Sequence, residues 1–250
     1  METFMSQIRL DKFLAEAGIG TRSQVKEYLK KGRVTVNGIP AKKPEQKVSG
    51  ETDEILFDGR KVSQLSTAYY MFHKPAGCIT AARDSREKTV MDFFQDCPEK
   101  DLAPVGRLDK DTEGFLLITN DGELAHFLLS PKRHVEKTYY ARVDGCLHPD
   151  AVSLVEKGLD IGDEKLTLPA KLQILKEDTD SSEILLTLRE GRYHQVKRMV
   201  EAVGGKVTYL KRISFGTIPL DESLKKGNYR SLSEEEVNLL KRQVMRNKEQ

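Results

Sequence analysis

The chain has 250 residues, of which 38% are hydrophobic and 32% charged, and its formal net charge is +2. That length allows one large domain or two smaller ones, and that composition predicts a soluble globular chain with a polar surface. The longest apolar runs reach four to five residues, which excludes a membrane-spanning helix. Met1 to Gln7 carries no apolar stretch or small-residue cleavage pattern, so no signal peptide is expected. Cys78, Cys97 and Cys146 are odd in number and far apart. They fit reduced thiols of a cytoplasmic protein better than a disulfide framework or a zinc site.

In chain order, the first elements form a small module. Leu10, Phe13, Leu14 and Ala17 recur at helical spacing, and Gly18 and Gly20 end that helix. Thr21-Arg22-Ser23-Gln24 has the spacing of a capping box opening a second helix, which buries Val25, Tyr28 and Leu29. The same helix stacks Arg22, Lys26 and Lys30 four residues apart on one side. A row of bases opposite an apolar face suits phosphate tracking on RNA; the plainer reading is a solvated surface. Gly32 closes the helix with Arg33 beside the turn. Val34-Thr35-Val36 alternates as a strand, Asn37-Gly38 reads as a tight hairpin turn, and Glu54 to Phe57 reads as a further strand. Arg9-Leu10-Asp11-Lys12-Phe13-Leu14, Thr21-Arg22-Ser23 and Gly32-Arg33-Val34-Thr35-Val36-Asn37-Gly38 together resemble an S4 RNA-binding domain from Ile8 to about Val62. The resemblance implies RNA contacts from Arg22, Lys26, Lys30 and Arg33.

Val62 to Thr67 reads as a linker. A second unit opens with the strand Ala68 to Phe72, which turns at His73-Lys74-Pro75-Ala76-Gly77. Phe115 to Ile118 is a buried strand, and a helix follows from Glu123 to Leu129. Lys137 to Val143 and Ile184 to Leu188 are strands. A helix from Tyr193 to Val203 stops at Gly204-Gly205, and Val207 to Leu210 is another strand. Ser233-Glu234-Glu235-Glu236 caps a last helix, with residues 241–250 expected to fray. Strands and helices intermix without a βαβ rhythm. The expected class is therefore α+β, with a largely antiparallel mixed sheet flanked by helices. The expected domains are residues 1–66 and 67–240.

Chemistry concentrates in Gly106-Arg107-Leu108-Asp109-Lys110-Asp111-Thr112-Glu113-Gly114. Three acids, two bases and two glycines stand here against a buried strand. Charge at the edge of a core is expensive unless paired or functional. An aspartate-first phosphatase motif fails, because its fifth position needs Thr or Val where this chain has Glu113, and because the strand follows the acids instead of preceding them. Three carboxylates two residues apart can share a strand face, but no His or further acid cluster completes a metal shell. A single carboxylate working as a nucleophile must stay ionised in a partly dry pocket, which requires a nearby cation. Residues 189–212 hold seven bases against two acids. Within that segment Lys197 and Arg192 are candidate cations, and Arg198 is a candidate RNA contact.

Gly106-Arg107-Leu108-Asp109-x-Asp111-Thr112-x-Gly114-x-Leu116-Leu117 with Thr119-Asn120-Asp121-Gly122, Lys137-Thr138-Tyr139, and Glu190 to Met199 resemble the three motifs of RNA pseudouridine synthases. With an S4 domain ahead of them, the resemblance narrows to the branch of RsuA, RluB, RluE and RluF types. Tyr193-His194-Gln195-Val196-Lys197 is similar to the small-subunit, RsuA-type form. It implies isomerisation of a uridine in 16S ribosomal RNA, within an assembling small subunit, without redox cofactor, ATP or metal. No membrane is implied, and no protein partner beyond ribosomal proteins. The same chemistry on 23S RNA, or a non-catalytic RNA-binding assembly factor, are the alternatives. The resemblance implies that Asp109 is the essential aspartate, either nucleophile at the sugar or base at C2′, and that Tyr139 stacks on the target base. Lys197, where most relatives have Arg, pairs with Asp109; Leu210 walls the pocket; and Arg107 works near the vacated base position. Asp111 and Glu113 receive no chemistry; pairing with nearby bases such as Lys110 is enough to explain them. His73, His126, His134 and His148 receive structural or surface roles, and His194, in the third motif, is expected to bond backbone or phosphate.

Overall fold

In the computed structural model, residues 7–50, 52–62, 67–130, 133 and 135–246 are described. Residues 63–66 of the expected linker, His134, residues 1–6 of the N-terminal stretch and residues 247–250 of the tail lie outside them. The chain divides into two compact units, 1–66 and 67–250.

The first unit contains β1 (Ile8–Arg9), α1 (Leu10–Glu16), α2 (Arg22–Lys30), β2 (Val34–Val36), β3 (Ile39–Pro40), β4 (Lys47–Val48), β5 (Ile55–Phe57) and β6 (Arg60–Lys61). The Thr21 side chain accepts from the Gln24 amide, and Gln24 returns a bond to the Thr21 amide, which closes the capping box of α2. Such a cap contributes about 1 kcal/mol. Leu10, Phe13, Leu14, Val25 and Leu29 bury against Val34, Val36 and Ile55. Asn37 and Gly38 both take positive φ, 51° and 77°, which gives the hairpin between β2 and β3 the twist its strands need. Arg22, Lys26 and Lys30 are exposed. The Arg33 guanidinium binds the Asp58 carboxylate and lies over the Tyr28 and Phe57 rings at 4.7 and 4.5 Å.

The second unit contains β7 (Tyr69–Lys74), a 3-10 turn (Val90–Phe94), β8 (Ala103–Pro104), β9 (Glu113–Thr119), α3 (Gly122–Leu129), β10 (Lys137–Asp144), α4 (Ala151–Lys157), β11 (Lys171–Glu177), β12 (Ser181–Leu188), α5 (Gln195–Ala202), β13 (Lys206–Phe215), β14 (Ile218–Pro219), β15 (Tyr229–Ser231) and α6 (Glu234–Arg246). Its sheet runs β11-β12-β10-β13-β9-β7-β15, with β14 beside β13 and β8 beside β9. Every described pairing is antiparallel except that of β13 with β9. The fold is α+β, as the sequence predicts.

Side chains alternate across the sheet. Tyr70, Phe72, Leu116 and Ile118 face one core with α4 and α5; Tyr69, Met71, Phe115 and Leu117 face the other with α3 and α6. Burial on both faces is why Phe115 to Ile118 reads as an unbroken apolar run. Three expectations need correction. Helix α5 starts at Gln195, because His194 adopts a left-handed conformation (φ 48°). Strand β13 extends to Phe215, held by its long ladder with β10. Residues 241–246 are helical, not frayed, because Leu240 and Val244 anchor α6 in the second core.

Gly114 sits where β9 meets β13. Its φ is +107°, and a Cβ there would lie 2.2 Å from the carbonyl oxygen of Arg212. Gly114→Ala is expected to destabilise the protein by at least ~2 kcal/mol, read as a lower urea midpoint. Gly122→Ala, which meets nothing within 4 Å, is the control and should leave the midpoint unchanged or raised.

Candidate active site

The segment before β9 is a loop whose carbonyls turn inward. Lys74, at the end of β7, is sealed from solvent. Its Nζ donates to the carbonyls of Asp109 (3.0 Å), Thr112 (2.9 Å) and Pro75 (3.1 Å), and lies 3.4 Å from that of Lys110. Burial pushes this ammonium below its ordinary range, against the pull of Cys78, Asp111, Asp109 and Glu113. The Gly77 amide donates to the Lys110 carbonyl at 2.8 Å. Thr80 Oγ1 donates to the Leu108 carbonyl at 2.7 Å and accepts from its amide at 3.1 Å. The loop is therefore held by its backbone, which leaves its carboxylates free for other partners.

Asp109 and Asp111 share one cation, Lys197, and Glu113 has its own. Asp109, its side chain 30% exposed, has Lys197 Nζ 3.7 Å from one oxygen and His194 Nε2 3.7 Å from the other. Asp111 binds Lys197 Nζ through both oxygens at 2.7 Å. Burial raises the Asp111 carboxyl, but the hydrogen bond and charge of Lys197 outweigh it and leave it below its usual range. Glu113 accepts from Tyr209 Oη at 2.7 Å and pairs with Lys226 at 2.7 Å. Burial likewise raises it, and these two partners bring it below its usual range. Lys110 pairs with Glu87 instead, so local pairing with Lys110 does not account for Asp111 or Glu113. Among the described residues no three His, Cys, Asp or Glu side chains converge as a metal site.

Asp109 opens on a cavity of about 910 Å³ that is also lined by Arg107, Tyr139, Arg192, Tyr193, Lys197 and Leu210. Tyr139 is 9% exposed and Leu210 is buried; they come from the adjoining strands β10 and β13. The structure thus gathers Asp109, Tyr139, Lys197, Leu210 and Arg107 at one place, from segments up to about a hundred residues apart. Two arginines are held by protein partners. Arg192 reaches the cavity wall, but its guanidinium is committed to Asp163, Glu190 and the carbonyls of Lys165 and Leu166. Arg198 binds Asp163 and the carbonyls of Ile161 and Tyr193, so its guanidinium braces the loop before α5 instead of facing a ligand. With the loop pinned on both sides, Tyr193 is left 76% exposed and stacked on His194 at 3.8 Å.

Sequence reasoning missed Lys74 and the contact of His194 with Asp109. Lys74 stands beside a Pro-Gly turn, where a lone lysine reads as surface. The signal for His194 was its place within the third motif.

The family model for RNA pseudouridylate synthases matches residues 68–202, and that for the S4 domain matches residues 8–55. The chain belongs to the RNA pseudouridylate synthase family and carries an S4 domain at its N-terminal end. It is 47% identical to YtzG, an uncharacterised RNA pseudouridine synthase of Bacillus subtilis (strain 168), over 93% of this chain and 98% of the relative. It is 41% identical to ribosomal small subunit pseudouridine synthase A of Vibrio cholerae, over 92% and 98% of the two chains. It is also 41% identical to ribosomal large subunit pseudouridine synthase B of Bacillus subtilis, over 93% and 95%. A crystal structure of a pseudouridylate synthase superposes with a TM-score of 0.66 at 39% identity, covering 93% of this chain and 99% of the other.

Replacing Lys74 leaves the loop carbonyls facing an apolar chain. Lys74→Met is expected to lower stability by about 2–4 kcal/mol and to depress pseudouridine formation with it. An unchanged urea midpoint would remove the anchoring role.

Proposed function

We propose that this protein converts one uridine of 16S ribosomal RNA to pseudouridine, with Asp109 as its essential carboxylate. The reaction breaks the C1′–N1 bond, turns the uracil, and joins C5 to C1′. The observation that carries the reading is Asp109 itself, ionisable and partly exposed in a cavity it shares with Tyr139, with Lys197 and His194 each 3.7 Å from it. A carboxylate acting at the sugar must remain charged while water is excluded, which requires a cation nearby, and the Lys197 ammonium is placed to be it. Tyr139 and Leu210, both buried on adjoining strands, line the cavity as walls for a planar base, with Arg107 exposed at its rim. A target base must leave its stack to reach the cavity, at a cost of a few kcal/mol. The exposed row Arg22, Lys26 and Lys30 supplies a second RNA contact, which raises the effective concentration of the target at the cavity.

The 16S assignment is supported by Tyr193-His194-Gln195-Val196-Lys197 and by small-subunit relatives at 39–44% identity from several bacteria. The large-subunit relative at 41% identity favours a second reading, the same chemistry on 23S RNA. A non-catalytic assembly factor would not need Asp109. On this proposal the protein works in the cytoplasm, on RNA of an assembling small subunit, with ribosomal proteins as its protein neighbours.

Carbodiimide labelling followed by primer extension, in cells with and without the gene, is expected to lose one stop in 16S RNA. A lost stop in 23S RNA would transfer the assignment to the second reading. Asp109→Asn is expected to abolish the stop while leaving RNA binding within about twofold of the parent; a retained stop would sink the catalytic assignment. Lys26→Ala with Lys30→Ala should weaken RNA binding and flatten its salt dependence by a slope of about 1–2. An unchanged slope would return these lysines to the solvated surface.

A further inference from the structure

Arg212 heads the fully buried side chains of the described residues. It is 2% exposed, yet no carboxylate pairs with it among the described residues. Its guanidinium makes one hydrogen bond, from Nε to the Phe115 carbonyl at 2.7 Å, and Nη2 is buried with no partner. An unpaired charge held out of water is costly, and a protein retains one where a ligand supplies the counter-charge. Lys137 stands on the adjoining strand. Its Nζ donates to the Val135 carbonyl at 2.9 Å. Burial first, and then the charge of Arg212, push its ammonium down to about 8. The two cations lie 5.3 and 5.7 Å from the centroid of the same ring, Phe215. They repel one another where salt bridges elsewhere in the protein neutralise.

Both line the cavity that holds Asp109. In the ladder of β10 with β13, Arg212 stands directly opposite Tyr139, and opposed residues of an antiparallel pair share a face. The unmatched charge therefore lies beside the walls for the base, while the exposed Arg107 is placed to meet a phosphodiester at the rim. A neutral uracil does not call for two cations. A detached one does: when C1′–N1 breaks, the electron pair leaves with the ring and spreads over N1, O2 and O4.

We propose that Arg212 and Lys137 form an oxyanion site for the uracil ring while it is detached from the sugar. The ring is held as an anion until C5 returns the electron pair to C1′. The C5 hydrogen then leaves as a proton and N1 takes one up, so product and substrate contain the same atoms. Fixed donors aimed at developing charge in a dry pocket are a strong source of rate. The proposal rests on the reading that Asp109 opens the glycosidic bond in this cavity.

The test uses the full chain and 16S transcript carrying tritium at uracil C5, with single-turnover release of tritium as the readout. Arg212→Met and Lys137→Met are each expected to lower the rate at saturating RNA by about 10²-fold or more, with RNA affinity and its salt dependence unchanged. Arg212→Lys should recover at least about tenfold over Arg212→Met, although it too lacks the Nε bond to Phe115. Lys137 is only half-buried, so its variant tests the site even where Arg212→Met fails to fold. An unchanged saturating rate for Lys137→Met overturns the proposal. So does weaker binding with a shallower salt slope, which marks a phosphate contact, or a rate loss that follows the urea midpoint and is not recovered by Arg212→Lys. Failure of the parent reading is distinguishable, because Asp109→Asn would then release tritium at the wild-type rate.

Discussion

The Lys74 ammonium, shut away from water beneath residues 109–112, is the contact on which the geometry of the site depends. A buried ammonium is tolerated only where its donors are fully used, and here the acceptors are the carbonyls of the loop that carries Asp109. A lysine emerging from the rigid strand β7 thereby fixes the backbone of an irregular segment. Because the anchoring is to main chain, the three acidic side chains of the loop remain available to point in three directions. A carboxylate anchor in place of Lys74 would have met carbonyl oxygens with like partial charge.

The electrostatics divide cleanly along that loop. Glu113 is absorbed by Tyr209 and Lys226, and Asp111 takes both of its short bonds from Lys197. Asp109 is left with Lys197 Nζ and His194 Nε2 each at 3.7 Å, far enough to leave its oxygens free for another atom. Lysine serves this sharing better than arginine would: a compact ammonium can sit between two carboxylates, whereas a guanidinium tends to engage one of them bidentately. The acid next to the proposed catalyst is thus a ligand for the catalyst's own partner.

The elements with strong periodicity were legible in the sequence: both helices of the first unit, the Asn37-Gly38 hairpin, β7, β9, β10 and β12. Helix α4 and strands β11 and β15 were not: β15 has three residues, α4 buries only two side chains and β11 only one, too few to set a clear period. The clustering of Asp109, Tyr139 and Lys197 followed from family resemblance; spacing alone left several chemistries open. The partners of charged side chains were the least legible part. Arg33 and Arg198 read as RNA contacts and Arg192 as a pocket cation, yet Asp58 and Asp163, both distant in sequence, pair with them. Arg212 reads as one more base in that run, and only its strand register reveals it as buried.

The parallel junction of β9 with β13 also has a kinetic side. It joins Glu113 to Lys211 and Gly114 to Arg212 across about a hundred residues, and contacts so remote in sequence form slowly, because a long loop must close before they repay its entropy. The hairpins of the first unit and the β10–β12 ladder have far shorter loops to close. A chain emerging from synthesis can therefore fold its S4 domain well before β13 exists to complete the cavity. During that interval Asp109 has neither Lys197 nor Leu210 beside it. Such a nascent chain carries the module proposed to hold RNA but not the cavity proposed to alter it, so the order of folding itself separates proposed capture from proposed chemistry.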